Sequence, residues 1–229
     1  MNTKHKKPTL TKKQRHRLRV QQVRRQKIFL TCLFLLIVGC ILLRFSKFSG
    51  RQEEAHQINA ACEAYRDEVS SEAAQYDMSD YVDLILAVMM QESSGQGTDP
   101  MQSSEGAYNT RYPQQPNGIT DPSYSISCGI QELKYALDKA GCTGPTDLSK
   151  IRLALQAYNF GADSYFAYLE ENGQTVWTAQ SAQAFAQMAS SNTQRDEDDP
   201  LHDPAGPWDY GDQYYPDHVL RYYHLDNNS

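Results

Sequence analysis

Neither Asp nor Glu occurs in the first 50 residues of this 229-residue chain, whereas 11 of its 22 Lys and Arg stand within residues 1–27. From residue 51 onward nine basic residues face 28 acidic ones, a net of −19. The formal charge of −6 therefore hides a basic tail and a strongly acidic body. Such a body will not gather nucleic acid by counter-ion release. Cysteine is scarce as well. Of five, Cys32 and Cys40 fall in an apolar run, and Cys62, Cys128 and Cys142 lie beyond it. Three cannot all pair within one chain, so no disulfide framework is expected. The histidines lack His-x-x-x-His spacing and the cysteines lack Cys-x-x-Cys, so no zinc site, other metal or cofactor is expected. Strand-period runs and internal repeats are also missing, which leaves a mainly α domain.

The basic tail leads into 16 uncharged residues over 28–43. As a helix they span about 24 Å, a little less than a bilayer's hydrocarbon core. Phe45 and Phe48 extend the span while Arg44 and Lys47 reach the interface. The sequence thus predicts a transmembrane anchor over 28–48, with its N-terminus cytoplasmic and the body outside the cell membrane. A cleaved signal peptide fits less well: the basic region is long, and no small-residue cleavage site follows promptly. A linker over 49–59, a domain over 60–225 and a tail over 226–229 complete the expected organisation.

Within the body, one stretch organises the rest. Val82, Ile85, Leu86 and Met89 recur at the spacing of one buried helical face. Ser79 stands where a cap belongs, Asp80 and Asp83 suit the first turn, and Gly95 suits the end. Glu92 then projects from the apolar face in the last turn. Desolvation and the negative end of the helix dipole both disfavour its ionised form, as a general acid at neutral pH requires. The bland alternative is a glutamate swung out to water.

Ile58, Cys62, Tyr65 and Val69 suggest a preceding helix. Residues 95–124 are rich in Gly, Pro, Ser, Asn and Gln and read as a long functional loop. Asp121-Pro122 opens another helix, striped by Ile126, Ile130, Leu133 and Leu137 and ended by Gly141. A single helix is expected from Ser149 to Asn172, with Ile151, Leu155, Tyr158, Ala162, Phe166 and Leu169 on one face. A weaker helix over 179–190, an acidic loop over 192–209 and a last helix near Pro216 follow.

Several segments stand in a recognisable order: Gln91-Glu92-Ser93-Ser94-Gly95, Pro100-Met101-Gln102-Ser103-Ser104-Glu105, Asp121-Pro122 with Gly129-Ile130, Ala157-Tyr158-Asn159-Phe160-Gly161, and Tyr214-Tyr215-Pro216. This order resembles the goose-type lysozyme and soluble lytic transglycosylase superfamily. It looks most like the lysozyme-like domain of CwlT-type cell-wall hydrolases of Gram-positive conjugative elements. The resemblance implies a peptidoglycan glycosidase acting between N-acetylmuramic acid and N-acetylglucosamine. It makes Glu92 the catalytic acid, puts Gln102 and Ser103 on the loop lining the sugar cleft, and turns Tyr158 and Asn159 toward the glycan. It also implies glycan strands as the partner, with conjugation or type IV secretion machinery as a further one. CwlT-type proteins usually continue into a cysteine-peptidase domain. This sequence ends at Ser229, so no peptide cleavage is expected.

Hydrolysis needs a second carboxylate about 5–9.5 Å from the acid. Asp99, Glu105 and Asp121 are the candidates in reach, and Asp121 also fits as a helix cap. Without one, the substrate's own groups would close a 1,6-anhydromuramic end, as in a lytic transglycosylase. Other classes stay open: a cysteine peptidase using Cys128 with His202, His218 or His224, or a wall-binding scaffold without activity. The run of four carboxylates over 196–199 reads as solvated charge rather than a calcium loop.

Overall fold

The computed structural model describes residues 57–224, and the anchor expected over 28–48 lies outside them. Among the described residues no helix is long and apolar enough to cross a membrane. They form nine α-helices and no strand; an isolated bridge joins Gln194 and Trp208.

Helices α1 (Ala60–Glu63) and α2 (Arg66–Gln75) lead through a 3-10 turn at Ser79–Tyr81 into α3 (Val82–Glu92). The expected apolar face of α3 is only half of it. All seven residues from Leu84 to Met90 are buried, so α3 is apolar on every side and forms the centre of the domain. Asp80 and Asp83 flank its start, and the cap position is held by Tyr81 rather than Ser79. Ser94 and Gly95 turn the chain away with positive φ.

Helix α4 (Pro122–Ala140) starts where Asp121 accepts the Tyr124 backbone N–H, and ends at Gly141 in the left-handed conformation. Beyond it the expected single helix is two. Helix α5 (Leu148–Phe160) is capped by Asp147, and α6 (Ala162–Glu171) follows after Gly161. Gly161 sits at φ 84° and ψ 108°, a conformation that costs a residue with Cβ far more than glycine. Hydrophobic period continues across that joint, so the break is invisible to spacing alone. Helices α7 (Ala179–Ala189), α8 (His202–Ala205) and α9 (Tyr215–Leu220) complete the domain. Helix α5 packs along α4, α9 lies against both α5 and α3, and α2 braces α3 and α4. The acidic loop is held by a buried guanidinium: Arg195 donates to the carbonyls of Gly206 at 2.6 Å and Gly211 at 2.7 Å.

The long loop after α3 is ordered around one carboxylate. Asp99 Oδ1 accepts from Ser103 N at 3.0 Å and from Ser125 Oγ at 2.6 Å. Its Oδ2 accepts from Ser104 N at 3.2 Å and from the Ser104 hydroxyl. Those hydroxyls accept in turn, Ser125 Oγ from Met101 N and Ser104 Oγ from Ile119 N. The loop is thereby tied to its own far end and to the first turn of α4.

Candidate active site

The C-terminus of α3, the loop after it, α4 and the end of α5 enclose a cleft of about 730 Å³. Glu92 lines it, together with Gln102, Glu105, Glu132, Tyr158 and Asn159. Glu92 keeps a partial opening to solvent through the cleft but is packed round by protein. Burial raises its carboxyl from 4.5 to about 7, and the negative charges of Asp212, Asp99 and Glu132 add to the rise. One contact opposes them: the Tyr215 hydroxyl donates to Glu92 Oε1 and favours the ionised form. Tyr215 is itself buried and lies nearly parallel to Tyr158, ring centroids 6.3 Å apart. Tyr158 is fixed in turn by donating to the Met101 carbonyl at 3.0 Å.

The residues singled out from sequence fall into two groups. Glu92, Gln102, Glu105, Tyr158 and Asn159 share the cleft. Gln102, at φ 50°, spends its amide N–H groups on Asp99 O and Asn117 Oδ1, which leaves its Oε1 as a free acceptor. Asn159 does the converse. Its Oδ1 accepts from Asp212 N at 2.8 Å, and its amide donors stay available to a ligand.

The second group is not in the cleft. Ser103 is buried beneath the loop, its hydroxyl donating to Ser125 O at 3.0 Å. Asp99 is buried with both oxygens consumed by the loop. Asp121 caps α4 and borders a neighbouring groove. Cys128 is also buried, its thiol against the Tyr108 carbonyl, and burial pushes that thiol up. A nucleophilic cysteine needs the opposite shift. His202 pairs with Asp203 and His218 with Asp212. Among the described residues no group of three or more His, Cys, Asp and Glu is placed to hold a metal.

Two groups that act on Glu92 have no role assigned by the sequence: Tyr215, buried against the acid, and Glu132, which lines the cleft. In the sequence Tyr215 stands only in a trailing motif. Glu132 went unmarked, yet its carboxylate lies so close to Gly106 that a Cβ there would meet Oε1 at 1.7 Å. Glycine at 106 is what lets the loop close over it. Burial raises Glu132 to about 7, while the backbone N–H groups of Ala107 and Tyr108 hold it back. Its signal was present: Ser125, Cys128, Gly129 and Ala136 form a second buried face of α4, and Glu132 stands in that row at helical spacing.

A family model described as lysozyme-like matches residues 60–223. The bifunctional muramidase/DL-endopeptidase CwlT of Bacillus subtilis is 36% identical over 173 residues, which are 76% of this chain and 43% of that protein. The uncharacterized membrane protein YocA of the same organism is 34% identical over 162 residues, 68% of this chain and 65% of YocA. A pneumococcal vaccine antigen A homolog of Streptococcus pyogenes serotype M1 is 37% identical over 110 residues, 48% of this chain and 50% of that one. This chain thus spans less than two thirds of the length of each. A crystal structure of a Staphylococcus aureus protein, described as similar to a lipoprotein of the NLP/P60 family, superposes with a TM-score of 0.61. It is 27% identical and covers 76% of this chain and 56% of its own.

Proposed function

The chain belongs to the lysozyme-like family, within it to the CwlT type, and from that premise we propose that it is a peptidoglycan hydrolase of the N-acetylmuramidase kind. The observation that carries this reading is Glu92: a carboxyl that keeps its proton to about pH 7 at the wall of a glycan-sized cleft. Such a group protonates the glycosidic oxygen between N-acetylmuramic acid and N-acetylglucosamine as an oxocarbenium-like centre develops. Gln102 Oε1 and the Asn159 amide offer an acceptor and a donor for sugar hydroxyl and N-acetyl groups. Tyr158 offers a ring edge beside the acid.

Glu132 is the fitting second carboxylate: Asp99 has no oxygen to spare, Asp121 is outside the cleft, and Glu105 lines the cleft as an exposed side chain, whereas the backbone N–H groups of Ala107 and Tyr108 hold Glu132 in place. Ionised, it takes a proton from the attacking water. The productive state carries one proton between the two carboxyls, on Glu92, because the acid gives it to the leaving oxygen while the base takes one from water. Mass spectrometry of muropeptides released from purified peptidoglycan tests this. Reducing muramic ends are the expected product. Wholly 1,6-anhydro ends would remove Glu132 from the reaction and make the enzyme a lytic transglycosylase.

Tyr215→Phe checks the acid from another direction. A hydrogen bond to the charged form is worth about 1.5–3 kcal/mol, so its loss raises the carboxyl by roughly one unit or more. An acid catalyst is active while protonated and fails as pH rises through its pKa. The alkaline limb of kcat/KM should therefore move to higher pH in Tyr215→Phe, with a maximum about tenfold lower from the looser carboxyl. A limb that stays in place would show that the hydroxyl does not act on the acid.

The cellular setting belongs to the proposal too. The basic tail and apolar run over 28–48, together with the similarity to a membrane protein, support a single-pass anchor with the domain outside. Cutting close to the membrane suits local opening of the wall for a conjugation machine.

A further inference from the structure

The charged residues lining the catalytic cleft are all acids. They are Glu92, Glu105, Glu132 and Asp163, the last paired with Lys139 at 2.6 Å, and no Lys or Arg lines it. A bare glycan strand of N-acetylated sugars is neutral and suits that lining. The natural strand is not bare, because each muramic acid carries, through its lactyl group, a short peptide with free carboxylates and often a side-chain amine. Those carboxylates are repelled by the cleft and need a way out of it.

A second groove of about 560 Å³ opens beside the cleft, and Ala107 and Tyr108 line both. Its walls include Glu72, Tyr76, Arg111, Asp121, Tyr124 and Gln131. Arg111 is the sole Lys or Arg among the residues lining either cavity. It is also unspent. The other arginines of the described residues are committed: Arg66 to Glu63 and Asp83, Arg152 to Asp217, Arg195 to two carbonyls and Arg221 to Gln91. Arg111 is solvent-exposed and has no carboxylate within ion-pair distance, although Glu72 and Asp121 border the same groove.

Its position is nevertheless set. The guanidinium lies 4.5 Å from the centre of the Tyr124 ring. The Tyr124 hydroxyl accepts from Thr110 N at 3.0 Å and donates to Tyr108 O at 3.1 Å. A stacked guanidinium keeps its edge N–H groups for a planar anion, and carboxylate is the anion that fork matches. The ring that orients the cation thus hydrogen-bonds the backbone of Tyr108, a residue of the partition between the two cavities.

We propose that this groove is the subsite for the stem peptide of the muramic acid bound in the cleft, with Arg111 receiving one of its carboxylates. Glu72 and Asp121 suit the ammonium of a diamino acid in the same peptide. The inference rests on the muramidase reading, which fixes where the glycan lies.

The test uses the full chain and two substrates of equal strand length: peptide-bearing peptidoglycan strands, and the same strands stripped of peptide by an amidase. Arg111→Gln should lower kcat/KM on the peptide-bearing strands about tenfold through KM, and leave stripped strands within about twofold. Loss of equal size on both substrates, or on neither, overturns the subsite. A second arm stands apart from turnover: titration of the free stem tetrapeptide onto Glu92→Gln, with and without Arg111→Gln, followed by the backbone amide shifts of Thr110 and Tyr124. Saturable shifts that the arginine substitution weakens about tenfold support the groove. Their absence overturns it, even if the wild type cuts glycan. Failure of the wild type to cut either substrate overturns the muramidase reading instead, and the titration still decides the subsite.

Discussion

Glu92→Gln should lose glycan-cleaving activity by about 10³-fold or more, and at neutral pH and above it should melt at a higher temperature than the wild type. Both effects come from one proton. The amide cannot protonate a leaving oxygen, but it fills the same space and still accepts from the Tyr215 hydroxyl. The stability gain follows from linkage. The folded carboxyl titrates at about 7 against 4.5 for the free group. For a carboxyl raised on folding, the native state is favoured while the group stays protonated in both states. That advantage drains away as pH rises from about 4.5 to 7 and is then fully lost. A shift of this size corresponds to roughly 3 kcal/mol at most, spread over the buried site. The neutral amide escapes the loss. The variant should therefore be more stable at pH 8 by several degrees, with the gain shrinking to nothing near pH 4. Thermal melts across pH, run beside turnover of purified cell wall, check the two halves separately. Activity kept within tenfold would place the acid elsewhere. A melting temperature unchanged at pH 8 would mean the carboxyl carries no burial penalty.

That prediction starts from the stretch of sequence that was easiest to read. An apolar helix ending in an acid is a local pattern, and so are the Asp121-Pro122 start of α4 and its Gly141 end. Four features lie beyond what local pattern carries, for reasons that differ. Gly161 interrupts no hydrophobic period, so α5 and α6 read as one helix until φ is known. Full burial of α3 depends on what covers its second side, which no window of α3 contains. Arg195 carries no local signal for its burial, which depends on the Gly206 and Gly211 carbonyls brought close by the turn after α8. Glu132 was hidden because a charged residue between apolar ones is usually solvated, and only the loop folded across Gly106 makes it a cleft wall. In the cleft, the local motifs supplied Glu92, Gln102, Tyr158 and Asn159. The groups that tune them, Tyr215 and Glu132, come from 123 residues further on in one case and from an unmarked helix position in the other. Shifts in pKa depend on such long-range neighbours, which is why the direction for Glu92 was legible from its own helix and its balance was not.

Asp99→Ala should be nearly as damaging as the loss of the acid, for a different reason. The carboxylate receives two backbone N–H groups and two hydroxyls, all buried or nearly so. Removing it strands those donors, and breaking a buried charge network of this kind costs about 3–5 kcal/mol. For a domain of this size that is a fall of roughly 10 °C in melting temperature. Met101 and Ile119 are the loop's buried apolar residues, and its remaining ties, Tyr158 to Met101 O and Tyr124 to Tyr108 O among them, are single hydrogen bonds at separate points. The loss should thus begin as local opening of residues 95–121, seen as protease nicking there before the helices melt. Gln102 and the loop residues 105–108 leave the cleft with it, and turnover should fall by 100-fold or more on the usual scale for misplaced binding groups. Asp99→Asn separates this account from a chemical role. Its carbonyl oxygen still accepts from Ser103 N and Ser125 Oγ, while its amide faces the Ser104 donors, so about half the network survives. Activity should then track loop order, with the asparagine variant falling between wild type and alanine in both melting temperature and rate. A base or nucleophile would behave otherwise: asparagine would lose as much activity as alanine while the loop stayed closed.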